Sequence, residues 1–377
     1  MNKIIVAAFL LLACKTSQAQ TVRARDLGIL FEGATGKYNA ITDVHNVLVG
    51  YQTKIKDSGA KAVRTGVTVI LPNGKSNKPT PAGWFCLNGD GEMTGTTVID
   101  EYGFNFGAIG ITNTNSVGVV RDAIGEWNIK NFATNDMLDF SFGLPVVAET
   151  YDGILNDING LHISKKDVFA ALGSAHSGPI EEGNVGGGTG MALFLFKGGS
   201  GTSSRIVQID TARYTVGAFV QGNFGGRKDL MIAGIPMGAE LTELMPVVNA
   251  RKKDGSIIVV IATDAPFLPS QLKLLAKRAT MGVARTGGFA RNSSGDIFLA
   301  FSTKGPIDNN NSTLQTWQSI PKEQLDKFYI AVAQATEEAI INAMVAAKTM
   351  TGYNGNTVYA LPHARVKELL KKYGRKQ

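Results

Sequence analysis

The apolar pattern changes period along the chain and outlines alternating strands and helices. Positions 257–262, Ile257-Ile258-Val259-Val260-Ile261-Ala262, are an unbroken apolar run, mostly β-branched, which predicts a strand buried on both faces. Ahead of it, Ala250-Arg251-Lys252-Lys253-Asp254-Gly255 is a polar run ending in glycine, the composition of an exposed connector. Ser256 therefore stands where connector meets core. Further strand-like runs fall at 47–51, 67–72, 205–209, 214–220 and 297–301, and small and apolar residues alternate over 104–112 and 116–120. The charged 54–61 stretch reads as a loop. Residues 79–92, rich in Gly, Pro and Asn, read as turn-forming, and Asn88-Gly89-Asp90-Gly91 lacks the acid spacing of a calcium loop.

Helical spacing appears later. Leu272, Leu275, Ala279 and Val283 share one side of a helix expected over 270–284. A longer alanine-rich helix is expected from Pro321 to Met350, with Leu325, Phe328, Val332, Ala335, Ala339 and Ala343 forming a face small enough to lie close on a sheet. A short basic helix is expected over 366–373.

Composition places the chain among globular proteins. At 377 residues and 44% hydrophobic content it can bury a large core, in one large domain or two modest ones. Its 44 glycines exceed the usual share of about 7% without a collagen period, so many tight turns are expected. Met1-Asn2-Lys3, an apolar run from Ile4 to Ala13, and Ser17-Gln18-Ala19 read as a secretory signal of residues 1–19, placing the mature protein in the periplasm or outside the cell. Lipid attachment at Cys14 is the competing reading. Loss of Lys3 and Lys15 with the leader takes the formal net charge from +7 to +5, mild and unclustered, so neither nucleic acid nor membrane is an expected partner. The mature chain keeps one cysteine, Cys86, expected as a buried structural thiol.

The chemistry on offer is that of a hydroxyl. None of the four histidines, His45, His162, His176 and His363, lies in a catalytic signature, and neither a Gly-x-Ser-x-Gly elbow nor a His-Glu-x-x-His pair is present. No cofactor or metal is called for. If the Gly255–Ser256 bond were cut, Ser256 would carry its own base, because an α-amine of pKa about 7.7–8.0 can take a hydroxyl proton near neutral pH. Three other stretches carry polar groups. The run from Leu144 to Ala148 exits into Glu149-Thr150-Tyr151-Asp152, which serves either a cleft or a solvated loop. Asn223, flanked by glycines after a strand, is a turn residue or an amide donor for an oxyanion. Ser294 and Asp296, two apart at a strand's start, project to one side and could orient an amine and a nucleophile, or belong to a hairpin turn. Gly183 to Gly190 lacks the Walker lysine and the dinucleotide spacing, which leaves close backbone approach as its use.

Several of these stretches together resemble one family. Thr42-Asp43-Val44, Val63-Arg64-Thr65-Gly66-Val67-Thr68, Leu144 to Gly153, Gly183 to Gly190, Gly255 to Pro266, and Ala284-Arg285-Thr286-Gly287 before Ser294-Gly295-Asp296 are similar in order and spacing to the L-aminopeptidase/D-esterase and β-peptidyl aminopeptidase family. The resemblance implies an α/β fold, a four-layer α/β/β/α sandwich with layers like those of the N-terminal-nucleophile (Ntn) hydrolases and different connectivity. It also implies self-cleavage before Ser256 into a large piece, residues 20–255, and a small piece, 256–377, of one catalytic domain. Ser256 is then the nucleophile, Gly255 the residue before the cut, Asn223 the oxyanion donor and Tyr151 a wall sharing that work. Ser294 and Asp296 hold the nucleophile and its amine, Asp296 being one methylene shorter than the glutamate the family pattern accommodates. Asp139 grips the substrate's free amine. The implied partners are short peptides, amides or esters with a free amino terminus, and other copies of the two-piece unit in a homo-oligomer. The alternatives are an acyltransferase of the ornithine acetyltransferase type and a non-enzymatic sugar- or peptide-binding protein.

Overall fold

The computed structural model describes residues 22–133, 143–249, 255–306 and 314–375. The leader with Cys14, the connector residues 250–254 and Asp139 lie outside the described residues. In chain order the strands begin with β1 (Leu48–Lys56), β2 (Val63–Leu71), β3 (Pro79–Gly89), β4 (Phe104–Phe106), β5 (Ile109–Asn113), β6 (Val147–Thr150) and β7 (Ala192–Leu193). They continue with β8 (Phe196–Lys197), β9 (Gly199–Ile209), β10 (Ala212–Asn223), β11 (Ser256–Thr263), β12 (Gly295–Ser302), β13 (Met350–Thr351) and β14 (Thr357–Val358). The helices are α1 (Thr96–Tyr102), α2 (Val117–Phe132), α3 (Lys165–Ser174), α4 (Met237–Glu240), α5 (Pro269–Arg285), α6 (Leu325–Val345) and α7 (His363–Lys372).

Two sheets carry the architecture. One has four strands in the order β1-β2-β5-β6, the other six in the order β4-β3-β12-β11-β10-β9. Strand alternation sorts their side chains into three apolar layers. On β11, Ile258, Val260 and Ala262 meet Val49, Ile70, Ile109 and Ala148 of the other sheet. Ile257, Val259 and Ile261 face the opposite way, onto Leu272, Leu275 and Ala279 of α5 and Val332, Ala335 and Ala339 of α6. On the far side of the smaller sheet, Val67, Val69 and Leu71 of β2 pack beneath Val120, Ala123 and Ile124 of α2 and Val168, Ala171 and Leu172 of α3. The layers thus run helix, sheet, sheet, helix. All eight residues of β11 are buried, as a strand covered on both faces requires.

Four local expectations need correction. Residues 116–120 begin α2 rather than a strand: Val117, Val120 and Ile124 recur at helical spacing, and only residues beyond 120 reveal the period. The turn-like 79–92 stretch contains the eleven-residue β3, whose prolines pair with short β4 at the sheet edge, where Pro79 faces Phe106 and Pro81 faces Phe104. Its Gly83 admits a helix, since a Cβ there would lie 2.3 Å from the Lys273 backbone nitrogen of α5. The alanine-rich helix is shorter than its pattern, because Met350 pairs with Val358 in the β13–β14 ribbon. Cys86 is exposed rather than buried; its strand lies against β12 at an irregularity next to Asp296.

The small-residue face of α6 lies as close to its sheet as the sequence suggests. A Cβ on Gly201 of β9 would sit 2.1 Å from the Ala339 carbonyl oxygen. Gly201→Val should therefore force β9 and α6 apart and lower folding stability by at least about 1–3 kcal/mol, read as a lower urea midpoint at unchanged slope.

Candidate active site

Strand pairing gathers the site. Antiparallel β10 and β11 set Asn223 directly opposite Ser256, and directly opposed residues project to one face with Cβ atoms about 4.5–5.5 Å apart. Parallel β11 and β12 start at the same end, with Ser256 opposite Gly295 and Ile257 opposite Asp296. The end of β10 and the starts of β11 and β12 therefore meet at one end of the larger sheet's central strands. The end of β6, also paired in parallel with β5, delivers Glu149, Thr150 and Tyr151 from the smaller sheet.

Two clefts adjoin at Gly255. One, of about 140 Å³, is lined by Ser256, Tyr151, Glu149, Thr114, Glu92 and Ser293 among others. The second, of about 230 Å³, has Asn223, Ser294 and Asp296 on its polar side and Ile154, Leu195, Phe224 and Phe289 on its apolar side. None of the four histidines lines either cleft.

The Ser256 hydroxyl is buried and has no hydrogen-bond partner among the described residues, an arrangement that costs about 1–3 kcal/mol in a folded protein. Gly255 before it lies so close to β10 that a Cβ would fall 1.4 Å from the Asn223 carbonyl oxygen. Any other residue there would push the strand ends apart. The Asn223 side chain is fixed at both ends, its Oδ1 accepting from the Ala192 amide at 2.9 Å and its Nδ2 donating to the Tyr151 carbonyl at 2.8 Å. One Nδ2 hydrogen remains for another acceptor. Ser294 donates its hydroxyl to Asp296 Oδ1 at 2.9 Å, and Oδ2 is buried without a partner among the described residues. Burial pushes the Asp296 carboxyl up to about 6, the Ser294 bond opposing. Burial, with the charge of Asp152, also raises the half-buried Tyr151 phenol, which keeps its proton at neutral pH.

The structure decides between the two uses of the Glu149–Asp152 exit. Neither carboxylate solvates a loop, for both are buried. Glu149 lines the Ser256 cleft, accepting from the Thr114 hydroxyl and, at 3.2 Å, from the Glu92 amide. Asp152 lies behind it with Oδ1 accepting from Asn156 at 3.0 Å, and burial raises it to about 7 against bonds from Thr65, Asn156 and Asn113. Thr114, Glu92 and Ser293 carried no local signal; chain crossings between the sheets bring them to the cleft.

Comparison with known proteins places the chain. Residues 39–358 match the model of peptidase family S58. The chain belongs to that family. It is 48% identical to the β-peptidyl aminopeptidase BapA of Sphingosinicella microcystinivorans, over 98% of this chain and 97% of the relative. Identity to the BapA of Sphingosinicella xenopeptidilytica is 43%, over 97% and 95%. Among solved structures, the L-aminopeptidase D-Ala-esterase/amidase of Ochrobactrum anthropi superposes with a TM-score of 0.87 at 44% identity, over 94% of this chain and 99% of that one. It is described as a prototype of the serine aminopeptidases and a new variant of the Ntn-hydrolase fold. A β-aminopeptidase of a Burkholderia species gives 0.85 at 44% identity, over 94% and 99%. This S58 member is thus a peptidase with aminopeptidase activity on peptide substrates, built as an α/β/β/α sandwich of the Ntn-hydrolase type.

The raised Asp296 carboxyl gives a signed prediction for stability. The folded carboxyl holds its proton more tightly than the unfolded one, so its contribution is complete below pH about 4 and is lost as pH rises through about 6. A shift from 3.8 to about 6 corresponds to roughly 3 kcal/mol. Asp296→Asn should remove that loss, so that its urea midpoint gains on wild type between pH 4 and 6. Parallel curves for the two proteins would show that Asp296 is not the group responsible.

Proposed function

We propose that this S58 member cuts its own chain between Gly255 and Ser256 and then uses Ser256 to release N-terminal amino acids from short peptides, amides or esters. The observation that carries the proposal is the buried Ser256 hydroxyl opposite Asn223, without a hydrogen-bond partner among the described residues, at a glycine that tolerates no side chain, where two clefts adjoin.

In the first act Ser256 Oγ attacks the Gly255 carbonyl, the Gly255–Ser256 C–N bond breaks as nitrogen takes a proton, and the resulting ester is opened by water. Residues 20–255 and 256–377 become the two pieces of one domain. In the second act the new α-amine takes the Oγ proton as Oγ attacks the carbonyl after a substrate's first residue. The remaining Asn223 N–H, with Tyr151 beside it, stabilises the oxyanion. The amine of the leaving portion departs with a proton, and water releases the amino acid from Ser256. Ser294 and Asp296 hold the α-amine and the nucleophile in line. A substrate's free ammonium needs a carboxylate; Glu149, in the Ser256 cleft, meets that need within the described residues, and Asp139, outside them, is the other candidate. Export through the leader and a homo-oligomer of two-piece units complete the proposal. The β-aminopeptidase names of the relatives favour substrates beginning with a β-amino acid.

Ser256→Ala should leave the chain whole on a denaturing gel and lower kcat on β-alanine p-nitroanilide by about 10⁶. Two fragments from the variant, or turnover near wild type, would remove Ser256 from both acts.

A further inference from the structure

One buried ionisable group has no work in that scheme. Lys197, the last residue of β8, is fully buried, and no carboxylate among the described residues pairs with it. Burial alone depresses its ammonium, to about 7. An unpaired charge in a core is costly, and a methionine of similar length would fill the space without that cost. Its bonds show where the charge is aimed. Nζ donates to the carbonyls of Met191 and Gly198, each at 2.8 Å, and the Met191 carbonyl also accepts from the Gly198 amide at 3.1 Å.

The Met191 carbonyl belongs to the peptide whose other end is the Ala192 amide, and that amide donates to Asn223 Oδ1 at 2.9 Å. Ammonium, peptide and carboxamide therefore stand head to tail: N–H to O=C–N–H to O=C–N–H. Every dipole in the row points its positive end toward the cleft that Ala192 and Asn223 line. Hydrogen bonds in such a row polarise one another, more so in a buried setting and when the first donor is charged.

We propose that Lys197 is a positioning residue of the reaction, its ammonium acting through the Met191–Ala192 peptide to orient the Asn223 carboxamide and to strengthen its remaining N–H as an oxyanion donor. This rests on the reading of Asn223 given above. Lys197 touches no substrate. It affects the transition state, where the oxyanion is fully developed, and leaves ground-state binding unaltered.

The test uses the purified, self-cut enzyme with β-alanine p-nitroanilide and compares Lys197→Met, Asn223→Ala and the double variant. Lys197→Met should fold, keep KM within about twofold and lose about tenfold in kcat. In the Asn223→Ala background the same substitution should cost nothing further, because the end of the row is gone. Where Lys197→Met does not fold, Lys197→Gln keeps a donor for Met191 without the charge and should show the same loss. A folded Met or Gln variant with full kcat beside a crippled Asn223→Ala overturns the relay alone, as does an equal loss in both backgrounds. An Asn223→Ala enzyme with full kcat overturns the assignment of the donor itself.

Discussion

The site depends on one close approach. At the point where β10 ends and β11 begins, Gly255 runs so near the Asn223 carbonyl that no side chain fits between them, and only there does the ladder register place Ser256 opposite Asn223. The strand behind Ser256 is fully buried, so its first residue cannot drift to find its hydroxyl a partner among the described residues. Burial in the core thus supplies the rigidity, and the glycine supplies the room. Catalytic geometry commonly needs both, because groups displaced by about 1 Å lose much of their effect.

A second requirement is that two sheets from different parts of the chain keep a fixed spacing at this end of their strands. Polar bonds through an otherwise apolar interface do this. Gln221 donates to the Thr112 carbonyl at 2.9 Å and to the Thr150 hydroxyl at 2.8 Å, and Asn223 reaches the Tyr151 carbonyl. Buried amides that bond across from one sheet to the other fix register where apolar contacts alone would permit sliding. The same bonds leave Glu149 and Tyr151 facing the Ser256 cleft, so sheet spacing and site geometry rest on one set of groups.

Much of this was legible in the sequence wherever a local period existed. The continuous apolar run after Ser256 predicts a doubly covered strand, and the alanine face of α6 predicts close packing on a sheet; both are found. Ser294 and Asp296 stand on one side of a strand start and share a hydrogen bond. What was hidden arose from tertiary context. A strand rich in proline and glycine is stable as β3 because β4 takes its edge and α5 needs its missing side chain. The opening of α2 alternates over too few residues to betray a helix. Cys86, apolar by type and flanked by Phe85 and Leu87, is exposed all the same. Lys197 carries no sequence signal, and the polar exit at Glu149 reads equally as a cleft wall or a solvated loop, since the burial of both residues is set by parts of the chain far from them.

The central claim is that a new chain end forms at the mouth of a buried strand. The direct measurement is intact mass with N-terminal sequencing of the purified, active enzyme. Two polypeptides, the smaller beginning with Ser256, is the result expected; a single uncut chain with full activity would contradict the account.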